Sequence, residues 1–398
     1  MEGKRLIHSI RLRNVLSFGP DGMAIDLQPL NVLIGANASG KSNLLECISL
    51  LKETSADIDS YIRRGGGINE WIWRGEQPGR SAEVEVVVQS PQESGNLRYR
   101  ISLVAIGLQE DVAEESVESD SLVGDDGKPI AFCKRRGTDA DLMVQVPNAD
   151  RRAPGREIKR EWLNQGQSVL SQRKALNYYP EITYLGDVFS RIRLFRWWIL
   201  GPNAPTRMPQ PANLSGKFLS EDASNLALVL NELQGNRHVR EELHRRVKDV
   251  YHYIEHIHPK TAEGSVLTYL DEGLRGETPA TRLSDGTMRY LCLLVILCHP
   301  SPPPLICIEE PELGFHPDVL SDLGELLIEA SQRTQLIITT HSAELISALS
   351  DVPESVIVCD RLGDGTHMER LEKDKLDYWL EKYSLGDVWR IGEIGGNP

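Results

Sequence analysis

The sequence predicts an α/β fold with a mixed sheet, an antiparallel β lobe and a short helical arm, and three observations predict it. A glycine-rich loop stands between an apolar strand and an amphipathic helix at residues 30–51. Period-two alternation through Val84, Val86 and Val88, and again through Tyr99, Ile101 and Leu103, marks antiparallel strands with one wet face. In the last third, two short apolar runs end in acids and in a histidine, as buried parallel strands do when they carry chemistry at their carboxyl ends.

Taken in order, Ile7 to Arg13 alternates apolar and polar side chains and reads as a strand. The turn-rich Ser17-Phe18-Gly19-Pro20-Asp21-Gly22 follows, and Met23 to Leu27 returns as a second strand. Leu30-Asn31-Val32-Leu33-Ile34 reads as a buried strand. It enters Gly35-Ala36-Asn37-Ala38-Ser39-Gly40-Lys41-Ser42, which matches G-x-x-x-x-G-K-[ST], and Leu44, Leu45, Ile48 and Leu51 share a face of the helix that leaves it. Small residues let such a loop fold around a phosphate, with N–H groups and the positive helix end aimed at the anion. There Lys41 reaches the β- and γ-phosphates of a nucleotide, and the Ser42 hydroxyl ligates Mg²⁺. A chance glycine turn opening a helix is the alternative, and the complete strand, loop, Lys-Ser and helix order argues against it.

Bulk composition bounds the rest. A chain of 398 residues, 40% hydrophobic and 26% charged, buries a substantial core in two or more lobes. No stretch approaches the roughly 20 apolar residues that span a bilayer, and Met1 to Arg5 leads into no signal-peptide core, so a cytoplasmic protein without a membrane partner is expected. The cysteines at 47, 133, 292, 298, 307 and 359 are scattered through mostly apolar runs and read as buried thiols. The net charge of −14 argues against a surface that is basic all over. Eight acids and no base lie between Glu110 and Asp126, however, so a local basic patch elsewhere stays open.

From Leu108 to about Arg160 the apolar periodicity disappears. The acidic run gives way to Lys134-Arg135-Arg136 and then Arg151-Arg152-Ala153-Pro154-Gly155-Arg156, which reads as a partly mobile insertion with at most a short strand at Ile130 to Cys133. Ser190 to Leu200 mixes three arginines with Phe195, Trp197 and Trp198; a half-buried strand is favoured there over a stacking platform for single strands. Leu219, Ala223, Leu226, Leu230 and Leu233 share one helical face, as do Leu243, Val247, Val250, Ile254 and Ile257, so two helices joined at Gly235-Asn236 form the arm. His252, His256 and His258 read as a solvated helix end rather than a metal site. The expected segments are 1–107, 108–160, 161–270 and 271–398.

Leu305-Ile306-Cys307-Ile308 runs into Glu309-Glu310-Pro311-Glu312. Glu309 is placed to hold Mg²⁺ through water, and Glu310 to orient or deprotonate the attacking water. Gln335 to Thr340 delivers His341, a γ-phosphate contact unless it caps the helix beginning Ser342-Ala343-Glu344. Leu283-Ser284-Asp285-Gly286-Thr287 precedes another helix and makes a second anion site. Lys41 already serves one γ-phosphate, so the second site suits a nucleotide held by another subunit.

The set GANASGKS, LSDGT, ICIEEPE and TTHS, in this order, resembles ABC-type ATPases of the RecF and SMC group, and specifically compact bacterial RecF-like AAA family ATPases. The resemblance covers about residues 5–105 and 215–398. It implies an ABC-type P-loop NTPase head that binds ATP and Mg²⁺. Gly35, Asn37, Gly40, Lys41, Ser42 and Asn43 would contact the nucleotide, Ser284 and Gly286 would act as the signature, Ser42 and Glu309 would serve the metal, and Glu310 and His341 would be catalytic. Leu313 to Pro317 would be the D-loop. Asp285 stands where transport-type proteins have Gly, Glu309 replaces the usual Asp, and either Gln77 or Gln89 could serve as the Q-loop glutamine. The resemblance further implies a homodimer closed head to tail on two ATP, signalling to a nuclease or toxin effector in phage defence. A RecF-like DNA-repair ATPase that binds DNA directly is the alternative.

Overall fold

The computed structural model describes residues 3–75, 81–90, 95–106, 109–124, 126–146, 155–273 and 276–396. The chain forms two compact units, each assembled from separated stretches rather than from the four consecutive segments expected. The first comprises Arg5–Ile192, Glu354–Leu371 and Ile394–Pro398; the second comprises Met1–Lys4, Arg193–Pro353 and Glu372–Glu393.

In the first unit β1 (Ile7–Arg13) pairs antiparallel with β2 (Met23–Asp26), and β3 (Leu30–Ile34) is buried along its whole length. Helix α1 (Lys41–Thr54) buries Leu44, Leu45, Ile48 and Leu51, the face the periodicity marks, and the short α2 (Ile58–Arg64) and α3 (Ile68–Trp71) follow. Next come β4 (Ser81–Val88), β5 (Leu97–Ile106), β6 (Gln109–Val123), β7 (Pro129–Arg136), β8 (Asp139–Val146) and β9 (Gly155–Trp162). They extend β1 and β2 into an eight-stranded antiparallel sheet of order β2-β1-β4-β5-β6-β7-β8-β9. Helices α4 (Val169–Gln172) and α5 (Pro180–Ser190) close this stretch.

The stretch 108–160 is therefore not an insertion carrying one short strand: four strands of the sheet fall in it. The acidic and basic runs are neighbours in register, Glu114 opposite Arg136, Glu115 opposite Arg135 and Ser116 opposite Lys134, and opposite charges across an antiparallel pair stabilise it. On the wet face Arg98 bridges Glu85 and Asp120 at 2.7 and 2.5 Å, Arg100 meets Glu83 at 2.9 Å and Lys134 meets Glu118 at 3.4 Å. On the inner face Arg135 and Glu115 are fully buried and 3.3 Å apart. Glu115 also accepts from the Tyr99 and Ser168 hydroxyls and the Val169 N–H, while Arg135 donates to the carbonyls of Gly137, Asn164 and Gln167. Arg151 to Pro154 lie outside the described residues.

In the second unit the half-buried strand expected at Ser190 to Leu200 shrinks to β10 (Arg193–Phe195). A two-residue edge, β11 (Gln210–Pro211), and helices α6 (Leu226–Gln234) and α7 (Arg237–Val250) follow. Leu219 and Ala223 precede α6, Ala223 with φ +56°, and Ile257 belongs to β12 (His256–Ala262), so the arm is a shorter hairpin than its apolar faces suggest. It is folded in: Gln234 donates to the Ile257 carbonyl at 3.2 Å and Arg246 meets Glu329 at 2.7 Å. Strand β13 (Ser265–Asp271) pairs antiparallel with β11, β12 and β14 (Glu277–Pro279). Helix α8 (Asp285–Leu297), β15 (Leu305–Glu309), α9 (Asp318–Ser331), β16 (Gln335–Thr339) and α10 (Ala343–Ser347) complete the core, with β15 parallel to both β10 and β16.

The chain returns to the first unit as β17 (Val356–Leu362), parallel to β3, and β18 (Gly365–Arg370), antiparallel to β17. Helices α11 (Lys373–Leu380) and α12 (Leu385–Arg390) belong to the second unit. His256 and His258 sit on β12, with the His244 ring 5.1 Å from that of His256, instead of at a helix end. Among the described residues no group of three or more His, Cys, Asp or Glu is placed to hold a metal ion.

Candidate nucleotide site

The loop after β3 has the shape its glycines allow. Gly35 and Gly40 have φ of +145° and +105°, and a Cβ on them would lie 2.2 Å from the Cys359 carbonyl oxygen and 2.2 Å from the Thr366 hydroxyl. Both positions therefore exclude a side chain on steric and conformational grounds. Thr366 moulds the loop further, its hydroxyl lying 3.0 Å from the Ser39 carbonyl and 2.7 Å from the Ser17 hydroxyl. Helix α1 starts at Gly40 without a side-chain cap and without an acid in its first turn, so its leading N–H groups and positive end face no competing carboxylate of that turn. Asn37 and Ser42 are exposed and Asn43 is half-buried. Lys41 is buried and folds across the loop, donating to the Gly35 and Ala36 carbonyls at 2.7 and 2.9 Å.

In the second unit the parallel register of β15 and β16 sets Glu309 beside Thr339 and brings the acids and His341 to one end of the strands. Arg196, one residue past β10, meets Glu309 Oε2 through Nε at 3.0 Å. Glu310 has φ +46°. For a non-glycine residue that posture costs about 1–2 kcal/mol, and neighbours hold it: its N–H donates to the Thr339 carbonyl at 3.0 Å, and its carbonyl accepts from Arg289 Nη1 at 3.2 Å. The Glu310 carboxylate lies 3.7 Å from His341 Nε2, both side chains about one-third exposed at 36% and 28%. His341 does not cap α10; Ser342 does, accepting from the Leu345 N–H at 3.2 Å.

Glu312 Oε1 accepts from the Thr340 hydroxyl at 2.6 Å and the His341 N–H at 2.8 Å, whereas buried Oε2 finds no partner among the described residues. Burial pushes this carboxyl above the usual range, against the opposing pull of those two donors. Glu312 stood in plain view in EEPE, but nothing in its spacing pointed to this role.

The LSDGT turn opens α8. The Ser284 hydroxyl caps it, accepting from the Thr287 N–H at 3.0 Å, and both Ser284 and Asp285 are exposed. Asp285, the departure from the transport-type motif, accepts from buried Arg207 at 2.5 Å, and Arg207 also donates to the carbonyls of Leu200, Ala280 and Leu283. Gly286 is required for packing: a Cβ there would stand 2.9 Å from the carbonyl oxygen of Gly314 in the Leu313–Pro317 turn. Phe195 is buried and stacks on Trp198 with centroids 5.8 Å apart, while Trp197 is 76% exposed. Gln89 is exposed at the end of β4 with its backbone N–H on the Leu6 carbonyl; Gln77 lies outside the described residues, so the Q-loop glutamine stays unassigned.

Ser42 and Glu309 offer a hydroxyl and a carboxylate, hard oxygen donors of the kind Mg²⁺ takes alongside phosphate and water. Each donor taken by itself suits the ion, and one Glu309 oxygen is already shared with Arg196.

Residues 30–347 match the family model described as "AAA domain, putative AbiEii toxin, Type IV TA system". The chain is 32% identical over 114 residues to ABC transporter A family member 12 of Arabidopsis thaliana, covering 26% of this chain and 11% of that protein. It thus spans about a tenth of the length of that relative. Among solved structures it is similar to the Smc head domain with an extended coiled coil bound to the C-terminal domain of ScpA, from Pyrococcus furiosus. That likeness has a TM-score of 0.56 at 12% identity over 95% of this chain and 99% of the other. The Smc head domain with a coiled coil and joint from Pyrococcus yayanosii gives 0.52 at 10% identity, over 95% and 99%. At these identities the likeness is one of fold: an ABC-type P-loop head.

Proposed function

The chain belongs to this AAA-domain family and is an ABC-type ATPase of the SMC and RecF kind, and from that premise we propose that it binds ATP between two copies of itself and hydrolyses it. The observation that carries the reading is the exposed Ser284 turn at the head of α8. A chain's own γ-phosphate is served by Lys41, so a second exposed anion turn calls for a nucleotide bound by another copy.

In this reading Lys41 releases the Gly35 and Ala36 carbonyls to meet the β- and γ-phosphates, and the open head of α1 takes the phosphate charge. Ser42 and Glu309 would hold Mg²⁺, which neutralises charge on the phosphates. Glu310 accepts a proton from the attacking water as its oxygen bonds to the γ-phosphorus and the bond to ADP breaks. His341, beside Glu310, steadies the γ-phosphate. ATP then acts as an interfacial bridge that hydrolysis removes.

Closure would signal to a partner effector, a nuclease or toxin in antiviral defence, a reading supported by the toxin named in the family description. Direct DNA binding has less support, because Arg98, Arg100, Lys134 and Arg136 of the β lobe already face carboxylates.

Nucleotide fluorescence and light scattering test the core of the proposal. Lys41→Ala should lose ATP binding, whereas Glu310→Gln should bind ATP and accumulate a dimer. Normal turnover in Glu310→Gln would remove the assigned base.

A further inference from the structure

We propose that Arg289 is a positioning residue that ties the signature turn to Glu310, so that engagement of Ser284 by a phosphate sets the posture of the base in the same chain. The inference rests on the ATP-bridged pairing above and adds the regulation of that site.

Two separate contacts join the head of α8 to the segment after β15. Gly286 packs against the Gly314 carbonyl so closely that no side chain would fit. One turn along the helix from Asp285, Arg289 Nη1 donates to the Glu310 carbonyl at 3.2 Å. That carbonyl belongs to a residue whose left-handed backbone persists only because its surroundings over-determine it. Strand β16 holds the N–H side of Glu310 through Thr339, and Arg289 holds the carbonyl side.

The guanidinium is itself constrained. It lies over the Trp198 ring, 5.3 Å from the centroid. Asp285, Glu310 and Glu312 all act on its charge. Its described contacts are nevertheless the Glu310 carbonyl and the Trp198 face, with no ion pair among the described residues. A rigid helix carrying Ser284 at its head and Arg289 one turn later moves both together. In a head-to-tail pair Ser284 meets the nucleotide held by the partner, while Glu310 acts on the chain's own. Arg289 therefore couples the two nucleotides, and its loss should uncouple them.

Steady-state ATP hydrolysis, ATP-driven light scattering and fluorescent-nucleotide binding on the full chain test this, with Arg289→Met and Arg289→Lys. Arg289→Met keeps the stem that packs on Trp198 and loses the donor. It should bind nucleotide within about twofold of wild type, lose about tenfold in kcat and fall to a Hill coefficient of about one. Arg289→Lys, with a donor restored, should regain part of both. An Arg289→Met chain with the wild-type kcat and Hill coefficient overturns the proposal, as does one that loses nucleotide affinity and kcat together. A wild-type chain that stays monomeric with ATP overturns the pairing reading, and the coupling with it.

Discussion

Glu312 bears a burial cost, its Oε2 atom buried without a partner among the described residues. Because desolvation raises its folded-state pKa above the ordinary value of 4.5, the folded chain binds more protons than the unfolded chain between those two values. Stability is therefore lost as pH rises through that window, and below it both states are protonated and the cost vanishes. Glu312→Gln keeps an acceptor for Thr340 and His341 without the charge. It should melt above wild type at neutral pH, with the gap closing as pH falls toward 4.5; thermal melts across pH check this, and a gap independent of pH would place the effect elsewhere. At this scale the site was half legible. The candidate residues Lys41, Ser42, Glu309, Glu310 and His341 stand out in the sequence because backbone shape and chemistry would restrict which residues fit beside a phosphate. Thr366 does not, since its contact with the Ser39 carbonyl bridges 327 positions of chain.

Strands β6 and β7 show why an element can hide. The buried positions of β6 include Glu115 and Ser119 alongside Val112 and Val117, and the register against β5 shifts between Ser102 and Leu103. A polar inner face together with a bulge erases the period-two signal on which strand recognition depends. The charges that suggested a solvated insertion are instead the pairing code of two adjacent strands. Removing one partner of the buried pair should be severe. Glu115→Ala leaves the Arg135 charge uncompensated and is expected to cost about 3–5 kcal/mol, read as a lower urea midpoint. A midpoint within error of wild type would show that water reaches Arg135. The surface pair Lys134–Glu118, by contrast, should contribute about 0–1 kcal/mol.

For the whole molecule, the consequence to check is assembly. Ser284 caps α8 as well as heading the signature turn, so Ser284→Arg should cost about 1 kcal/mol of stability and leave the monomer folded. In a Glu310→Gln background the same change should abolish ATP-driven pairing in light scattering, because on the proposed pairing a long side chain would fill the space a partner's nucleotide needs. A persistent dimer would move the interface away from this turn. The sequence by itself determined the phosphate loop, the acids after β15, the histidine after β16 and the ABC-type class, because each is a short stretch whose local geometry admits few residues. Only the tertiary structure decided that Arg196 holds Glu309 across 113 positions, that Arg207 anchors Asp285 across 78 and that Arg289 reaches Glu310 across 21. The physical reason is that a long, flexible arginine finds its acceptor through the packing of separate elements, and no spacing along the chain records that choice.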